Sequence, residues 1–427
     1  MPNANKNKIS SPFSKTNQHD QKYKTILSAA SELFNVQGTR GTTLSQIADK
    51  LNLTKTSLYY YVKTKEELTH QCYLNTCIEM QAIVDKSLSC DGSAIDKLDA
   101  LFRLNFECWN DIIKGNRGHL AGLTEIASLS TPHQEEISAH YRHFVIQVKD
   151  LINAGIEDGS MQAIHPGKAA NAIWGNIFWL PVWLFSVEES ERESAYQQWL
   201  TIIKFGLNNT PEKFEFKAIS FDDEHMAPTG FDRSEQNRKK QEAFLRVGSS
   251  FFNHKGFKGT SLDELAKSLG VTKGAFYYHI KNKEDLLIKC IERTFNVEQS
   301  VLSDTMSMDI NAIDKLAFAA RKMFSIQLGE QGPLIRYATM WSLPADKRKE
   351  MEVIASQVRD LFGDMIRAGI ADKTIKEVNL LVAENIIAGA IESIPDMAIA
   401  PNEIDLVKGS IDFFDIFFNG IATIQRG

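Results

Sequence analysis

The sequence predicts an all-α protein built from two copies of one unit, and three observations carry that reading. Apolar residues recur three and four apart, as in Ile26, Ala29, Ala30, Leu33 and Phe34, while strand-like alternation is absent. Amphipathic runs are broken by Gly, Pro and Asp, the residues that end helices. The peptide LTKTSLYYYVKTKEEL at Leu53–Leu68 returns as VTKGAFYYHIKNKEDL at Val271–Leu286, an offset of 218 residues. Over Ile26–Leu68, 18 of 43 aligned positions are identical without a gap, too many for coincidence. Farther along, the offset becomes 214: DLINAGIEDG around Gly155 aligns with DMIRAGIADK around Gly369. A repeat this long is duplication of a whole domain, because solenoid repeats have periods of roughly 20–50 residues.

The elements follow in order. Residues 1–20 are polar and read as a disordered tail with no apolar core of a secretory signal. A first helix runs to Gly38, a stop signal. TTLSQIADKLNL begins at cap-competent threonines and turns Leu44, Ile47, Ala48 and Leu51 inward. A third helix starts after Thr54, with Leu58 and Val62 on its buried side. These three make a domain over 21–73, with 74–207 as a larger helical domain. Residues 208–236 contain prolines and mixed charge without a helical period, so they read as a linker. The second copy follows as 237–291 and 292–427.

Charge is distributed in a way the total hides. The net charge is −6. Residues 1–75 nevertheless hold ten Lys/Arg against five Asp/Glu, and residues 231–290 hold twelve against seven. Two basic islands therefore sit in an acidic body, and each contains one copy of the tyrosine-rich peptide. The five cysteines form no CxxC pair or evident disulfide framework, which fits a reducing, cytoplasmic compartment. The apolar run Ile173–Val187 is short for a membrane span and holds Asn176 and Pro181, so no membrane partner is expected.

Three short helices with a tight connection before the last form a helix-turn-helix layout, in which the start of the last helix faces base edges. Lys55, Thr56, Tyr59 and Tyr60 share its outward face, and Lys63 and Lys65 add charge just beyond. The second copy offers Lys273, Gly274, Tyr277 and Tyr278, then Lys281 and Lys283. These residues resemble the DNA-binding domain of TetR-type (tetracycline-repressor-like) transcriptional regulators over roughly 21–73 and 239–291. The resemblance implies three DNA-binding helices, then about six helices forming an effector pocket and a dimer interface, in a repressor released by a small molecule. By matched positions it implies phosphate contacts from Thr43, Tyr59 and Lys65, and base contacts from Lys55, Thr56 and Tyr60. In the second copy the phosphate set is Ser261, Tyr277 and Lys283, and the reading set is Lys273, Gly274 and Tyr278. Two departures stand out: Thr56 occupies a position where the family usually keeps a small residue, and two such domains share one chain.

For the effector, the first copy offers Arg103, Phe106, Trp109, Phe144, Trp174 and Phe178, and the second Arg321, Phe324 and Trp341. Arg103 and Arg321 occupy equivalent positions beside apolar surface. Either could hold the acid group of a hydrophobic or amphipathic ligand, or simply lie along the surface. Aromatic stripes of this kind equally form plain core. Glu136, His140 and His143 share helical spacing but lack a counterpart in the second copy, so no metal and no cofactor is expected. No P-loop, GxSxG or HExxH motif is present, and no catalytic constellation supports an enzyme. An all-α architectural or interaction module without ligand control remains the alternative. Two strongly apolar segment pairs, Asn171–Leu184 with Ser194–Leu207 and Asn379–Ile394 with Glu403–Ile421, are expected to pair within the chain. That arrangement predicts a pseudo-two-fold monomer on an asymmetric double-stranded DNA operator, with a homodimer as the competing form.

Overall fold

Helix boundaries fall where the capping chemistry puts them. A computed structural model describes residues 12–123, 125–218, 233–397 and 405–423. The first unit contains α1 (Pro12–Gly41), α2 (Leu44–Lys50), α3 (Lys55–Tyr59), α4 (Lys65–Leu88), α5 (Ala94–Ile113), α6 (Thr131–Glu157), α7 (Pro166–Leu184) and α8 (Arg192–Phe205). The second repeats the order as α9 (Arg233–Gly259), α10 (Leu262–Ser268), α11 (Lys273–His279), α12 (Lys283–Met306), α13 (Ala312–Leu328), α14 (Ala345–Ala371), α15 (Leu380–Met397) and α16 (Leu406–Asn419). Where about six helices were expected after the first three, each unit has five among the described residues, with 3-10 turns at Ile126–Ser128 and Glu189–Glu191 in the first and at Tyr337–Ser342 in the second. Among the described residues there is no extended strand, only two isolated bridges. None of the described helices is long and apolar enough to cross a membrane.

Two expected boundaries move. Residues 12–20, expected in the tail, already belong to α1, while residues 1–11 lie outside the described residues. The polar sequence there carries no apolar period, but nothing in it breaks a helix after Pro12. The linker also begins later than 208. Residues 208–218 lie along the second unit: Phe214 and Phe216 pack against Phe418, with ring centroids 5.2 and 5.3 Å away. Lys217 pairs with the nearly buried Asp314 at 2.7 Å. Residues 219–232 lie outside the described residues.

The two units meet through equivalent contacts exchanged crosswise. Leu207 donates its backbone N–H to the carbonyl of Phe417 at 2.9 Å, and its counterpart Ile421 donates to that of Ile203 at 3.1 Å. The bridges Met161–Ala422 and Asn208–Ile375 are likewise counterparts. Helices α7 and α15 cross where Gly175 faces Ser393 and Gly389 faces Trp179, again equivalent pairs. A Cβ on Gly389 would lie 2.8 Å from that of Trp179, so only glycine permits this crossing distance. Helices α8 and α16 complete the four-helix junction, where Trp179 Nε1 of α7 donates to Asn385 Oδ1 of α15 at 3.2 Å.

A second crossed contact reaches the small heads formed by α1–α3 and α9–α11. The α5–α6 loop is clamped to its own head by Asn35, which donates to the Leu120 carbonyl at 2.8 Å and accepts from Gly122 N–H at 2.9 Å. Asn253 repeats this with Leu334 and Arg336 at 2.9 and 3.0 Å. Each loop then passes to the other unit's head. Ala127 packs on Gly256 of α9, and Trp341 packs on Gly38 of α1. Both glycines have positive φ, 71° and 62°, and a Cβ would lie within 2.9 Å of the opposing carbonyl oxygen.

A Gly175→Leu substitution should overpack the α7–α15 crossing and destabilise the protein by roughly 1–3 kcal/mol. A lower midpoint in chemical denaturation is the expected result, whereas Val182→Ala, at an exposed site on the same helix, should leave it unchanged.

Candidate nucleic-acid interface

Each reading helix is fixed by one cap and one buried side chain. Thr54 Oγ1 accepts from Ser57 N–H at 3.1 Å, and Thr272 Oγ1 accepts from Ala275 N–H at 3.2 Å, satisfying backbone groups that a helix start leaves open. Leu58 with Val62, and Phe276 with Ile280, are buried beneath. That geometry turns the opposite face outward. Tyr60 is 76% and Tyr278 84% exposed, with Tyr59 and Tyr277 about half exposed. Lys55, Thr56, Lys273 and Gly274 are exposed alongside them. Pairs of large aromatic rings left in water on a short helix mark a surface built for contact.

The two heads are not copies at this face. Lys273 Nζ pairs with Asp263 Oδ2 at 2.5 Å, whereas the residue equivalent to Asp263 in the first head is Ser45. The ion pair raises the Lys273 pKa, the hydrogen bond that Lys273 donates to Asp263 being the main cause. Tyr60 and Tyr61 pack with His19 in the first head, while Tyr278 packs on His279 in the second. A Cβ on Gly274 would meet open space, so packing does not demand glycine there. Asp263 escaped the sequence reading because it lies outside the repeated peptide.

The expected phosphate contacts already have internal partners. Lys65 Nζ donates to the carbonyls of Thr39 and Thr42 at 2.7 and 2.8 Å, and Lys283 Nζ to those of Lys258 and Thr260 at 3.3 and 2.9 Å. Each lysine thus closes the end of the first helix onto the start of the fourth. Carbonyls accept these bonds without cancelling the charge, which stays at the head's surface. Burial lowers the Lys65 pKa, and the neighbouring Lys258 charge lowers it further. Thr43 caps α2 in a capping box with Gln46, and Ser261 caps α10 by accepting from Glu264 N–H at 3.4 Å.

The proposed effector residues do not form one repeated site. Arg103 lies at the surface, bonded to both carboxylate oxygens of Glu193 at 2.8 and 2.9 Å and stacked 4.0 Å over Tyr196. That pairing holds the Glu193 carboxyl down to about 2. Arg321, by contrast, is buried; it donates to Ser410 Oγ at 3.1 Å and the Lys217 carbonyl at 2.8 Å, and burial lowers its pKa to about 10. Equivalent sequence positions therefore face different surroundings. Phe144, Trp174 and Phe178 stack on one another at 5.0 and 5.4 Å, Phe106 stacks on Tyr196 at 4.7 Å, and Trp109 meets Phe185 edge-on. Phe324 packs with Phe413. Trp341 sits at the unit junction on Gly38, under Arg348, and not in a core. Among the described residues no cluster could hold a metal; Glu136 instead bonds His70 at 2.9 Å.

Known proteins resemble parts of this chain. The family model of bacterial regulatory proteins of the tetR family matches residues 26–72 and again 244–290. A tetracyclin repressor-like C-terminal domain model matches residues 91–186. The fatty acid metabolism regulator protein of Bacillus subtilis is 23% identical over 189 residues, covering 44% of this chain and 97% of that protein. The HTH-type transcriptional regulator RutR of Escherichia coli K12 is 26% identical over 155 residues, 36% of this chain and 71% of its own. Among solved structures, a FadR regulator from Bacillus subtilis in complex with stearoyl-CoA aligns at 22% identity and TM-score 0.33, over 42% of this chain and 98% of that one.

Substituting Lys65→Ala should lower the thermal midpoint, because two carbonyls lose their donor at a cost of about 1–3 kcal/mol. Lys55→Ala, at an exposed side chain, should leave the midpoint unchanged in the same calorimetric comparison.

Proposed function

Because the chain belongs to the tetR family of bacterial regulatory proteins, with the DNA-binding domain present twice, and is a transcription regulator and not an enzyme, we propose that it is a repressor released from its operator by an apolar or amphipathic small molecule. The observation that carries the DNA side is the pair of exposed Tyr-Tyr-Lys faces, each held out by a threonine cap over a buried Leu58 or Phe276. Lys55, Thr56 and Tyr60 read bases in one half-site, and Lys273, Gly274 and Tyr278 in the other. Tyr59, Thr43 and Lys65, with Tyr277, Ser261 and Lys283, hold the phosphate backbone. For the effector, support comes from the apolar, aromatic interior of both helical domains and from the Bacillus relative, whose name places it in fatty acid metabolism.

One chain supplies both heads. The crossed contacts between units support a monomer that binds as a family dimer would, with reading helices about one DNA turn apart, ~34–36 Å. The heads differ at Thr56 against Gly274, Tyr61 against His279 and Ser45 against Asp263. Unlike readers prefer unlike half-sites, so the operator is asymmetric. Sequencing the genomic DNA retained by the purified chain, with footprinting, is the direct test.

Lys55→Ala and Lys273→Ala should each weaken operator binding by ~1–3 kcal/mol, since each removes a base contact. A double variant that binds as tightly as the parent overturns the reading-helix assignment. Light scattering should give the 48.1 kDa monomer; a stable homodimer on a perfect palindrome overturns the pseudo-dimer. In a thermal-shift screen, long-chain acids and their thioesters should raise the midpoint, and hits confined to small polar compounds count against the effector class.

A further inference from the structure

Between the two heads lies a cavity of about 380 Å³ whose walls come from both units. The end of α1 contributes Arg40, and the end of α9 contributes Phe257 and Lys258. The two crossing loops contribute Glu125 from one unit and Arg336 from the other. Its volume falls within the range of ligand pockets, roughly 300–1,000 Å³. It is separate from the stacked aromatic cores inside the units.

The charges around this cavity are crowded and mostly positive, with the partly buried Glu125 near Lys65 as the wall carboxylate. The Arg40 guanidinium lies 3.9 Å over the Phe257 ring, and Lys283 Nζ lies 4.8 Å from the same ring's centre. Their equivalents, each in the other unit's head, are Lys258 and Lys65; burial lowers the pKa of Lys65 and of Lys283, and the neighbouring Lys258 and Arg40 charges lower them further. Arg40 donates to the Ser342 carbonyl at 2.5 Å, and Lys65 and Lys283 donate to carbonyls as described above. None of those acceptors cancels a charge. The wall carboxylate, Glu125, accepts from Thr39 N–H at 2.5 Å. Neighbouring like charges repel, and more strongly where solvent is scarce. Four cations drawn from two heads, around an apolar-walled space, are therefore arranged for an anion.

We propose that this cavity binds an amphipathic organic anion, with a carboxylate or phosphate against Arg40 and Lys258 and an aromatic or short aliphatic body against Phe257 and Ile126. The same charges would also accept a phosphate of the DNA backbone at the operator's centre. Because the walls belong to both heads, the occupant fixes their spacing, and anion and operator affinities change each other by the same factor.

The test uses the full chain with the fluorescent probe 1-anilinonaphthalene-8-sulfonate and its uncharged analogue N-phenyl-1-naphthylamine. One sulfonate should bind per chain, and at least about tenfold more tightly than the neutral analogue. Arg40→Gln with Lys258→Gln should weaken the sulfonate about tenfold and leave the analogue unchanged. Ser138→Trp, which fills the cavity without altering charge, should weaken both, and circular dichroism melts identify any variant that fails to fold. Equal binding of the two probes by the unmodified chain overturns the proposal, as does a folded double variant that binds the sulfonate normally. A short random duplex that displaces the sulfonate identifies DNA phosphate as the natural occupant. A duplex that binds alongside it identifies a free anion, and both results support the site. Failure to bind any DNA, with sulfonate binding intact, would remove the regulator reading while leaving this site standing.

Discussion

The junction of α7 and α8 with α15 and α16 is the contact on which the rest of the molecule depends. Helices α7 and α15 face each other at Gly175, Trp179, Gly389 and Ser393, while Trp174, Trp199 and Phe413 turn back into their own units. Their approach is set by Gly175 and Gly389, where no side chain fits between the backbones. Once the crossing is fixed, the positions of both helical domains are fixed, and with them the loops after α5 and α13. Those loops then carry the constraint outward. Asn35 and Asn253 tie each loop to its own head, and Ala127 and Trp341 press it on the other head. Each head is thus positioned by both halves of the chain.

That arrangement gives the two halves different freedoms. Residues at the junction must satisfy a partner that is also their own copy, so contacts such as Leu207–Phe417 and Ile421–Ile203 persist as matched pairs. Residues on the exposed tyrosine-rich faces have no counterpart to satisfy across the junction. There the copies have separated, with Asp263 holding Lys273 on one head and Ser45 leaving the corresponding place uncharged on the other. The cores have separated too. Phe144, Trp174 and Phe178 fill the first, while the equivalent positions in the second are Val358, Ala388 and Glu392.

Much of the fold was legible in the sequence because its determinants are local. Thr54 and Thr272 cap helices within three residues, Leu58 and Val62 mark a buried side by spacing alone, and the exposed tyrosines follow from that geometry. The errors came where the outcome depends on a distant partner. Arg103 and Arg321 align in sequence, but Glu193 draws one to the surface and Ser410 holds the other inside. The bonds from Lys65 to the carbonyls of Thr39 and Thr42 join positions far apart in the chain, and no local pattern announces them. Trp341 reads as core until Gly38, some three hundred positions earlier in the chain, proves to be its neighbour. Nothing in its vicinity encodes that.

The segment 208–218, docked on α16 through Phe214 and Phe216 and on α13 through the Lys217–Asp314 pair, has a consequence for how the protein survives dilution. A regulator assembled from separate subunits falls apart by mass action when only a few copies are present. Here the partner surface is delivered by the same translation event and stays anchored on the far side of the junction. Separation of the halves is therefore a first-order opening that re-closes at a rate independent of protein concentration. A cell can keep such a molecule at very low copy number without loss of its assembled form.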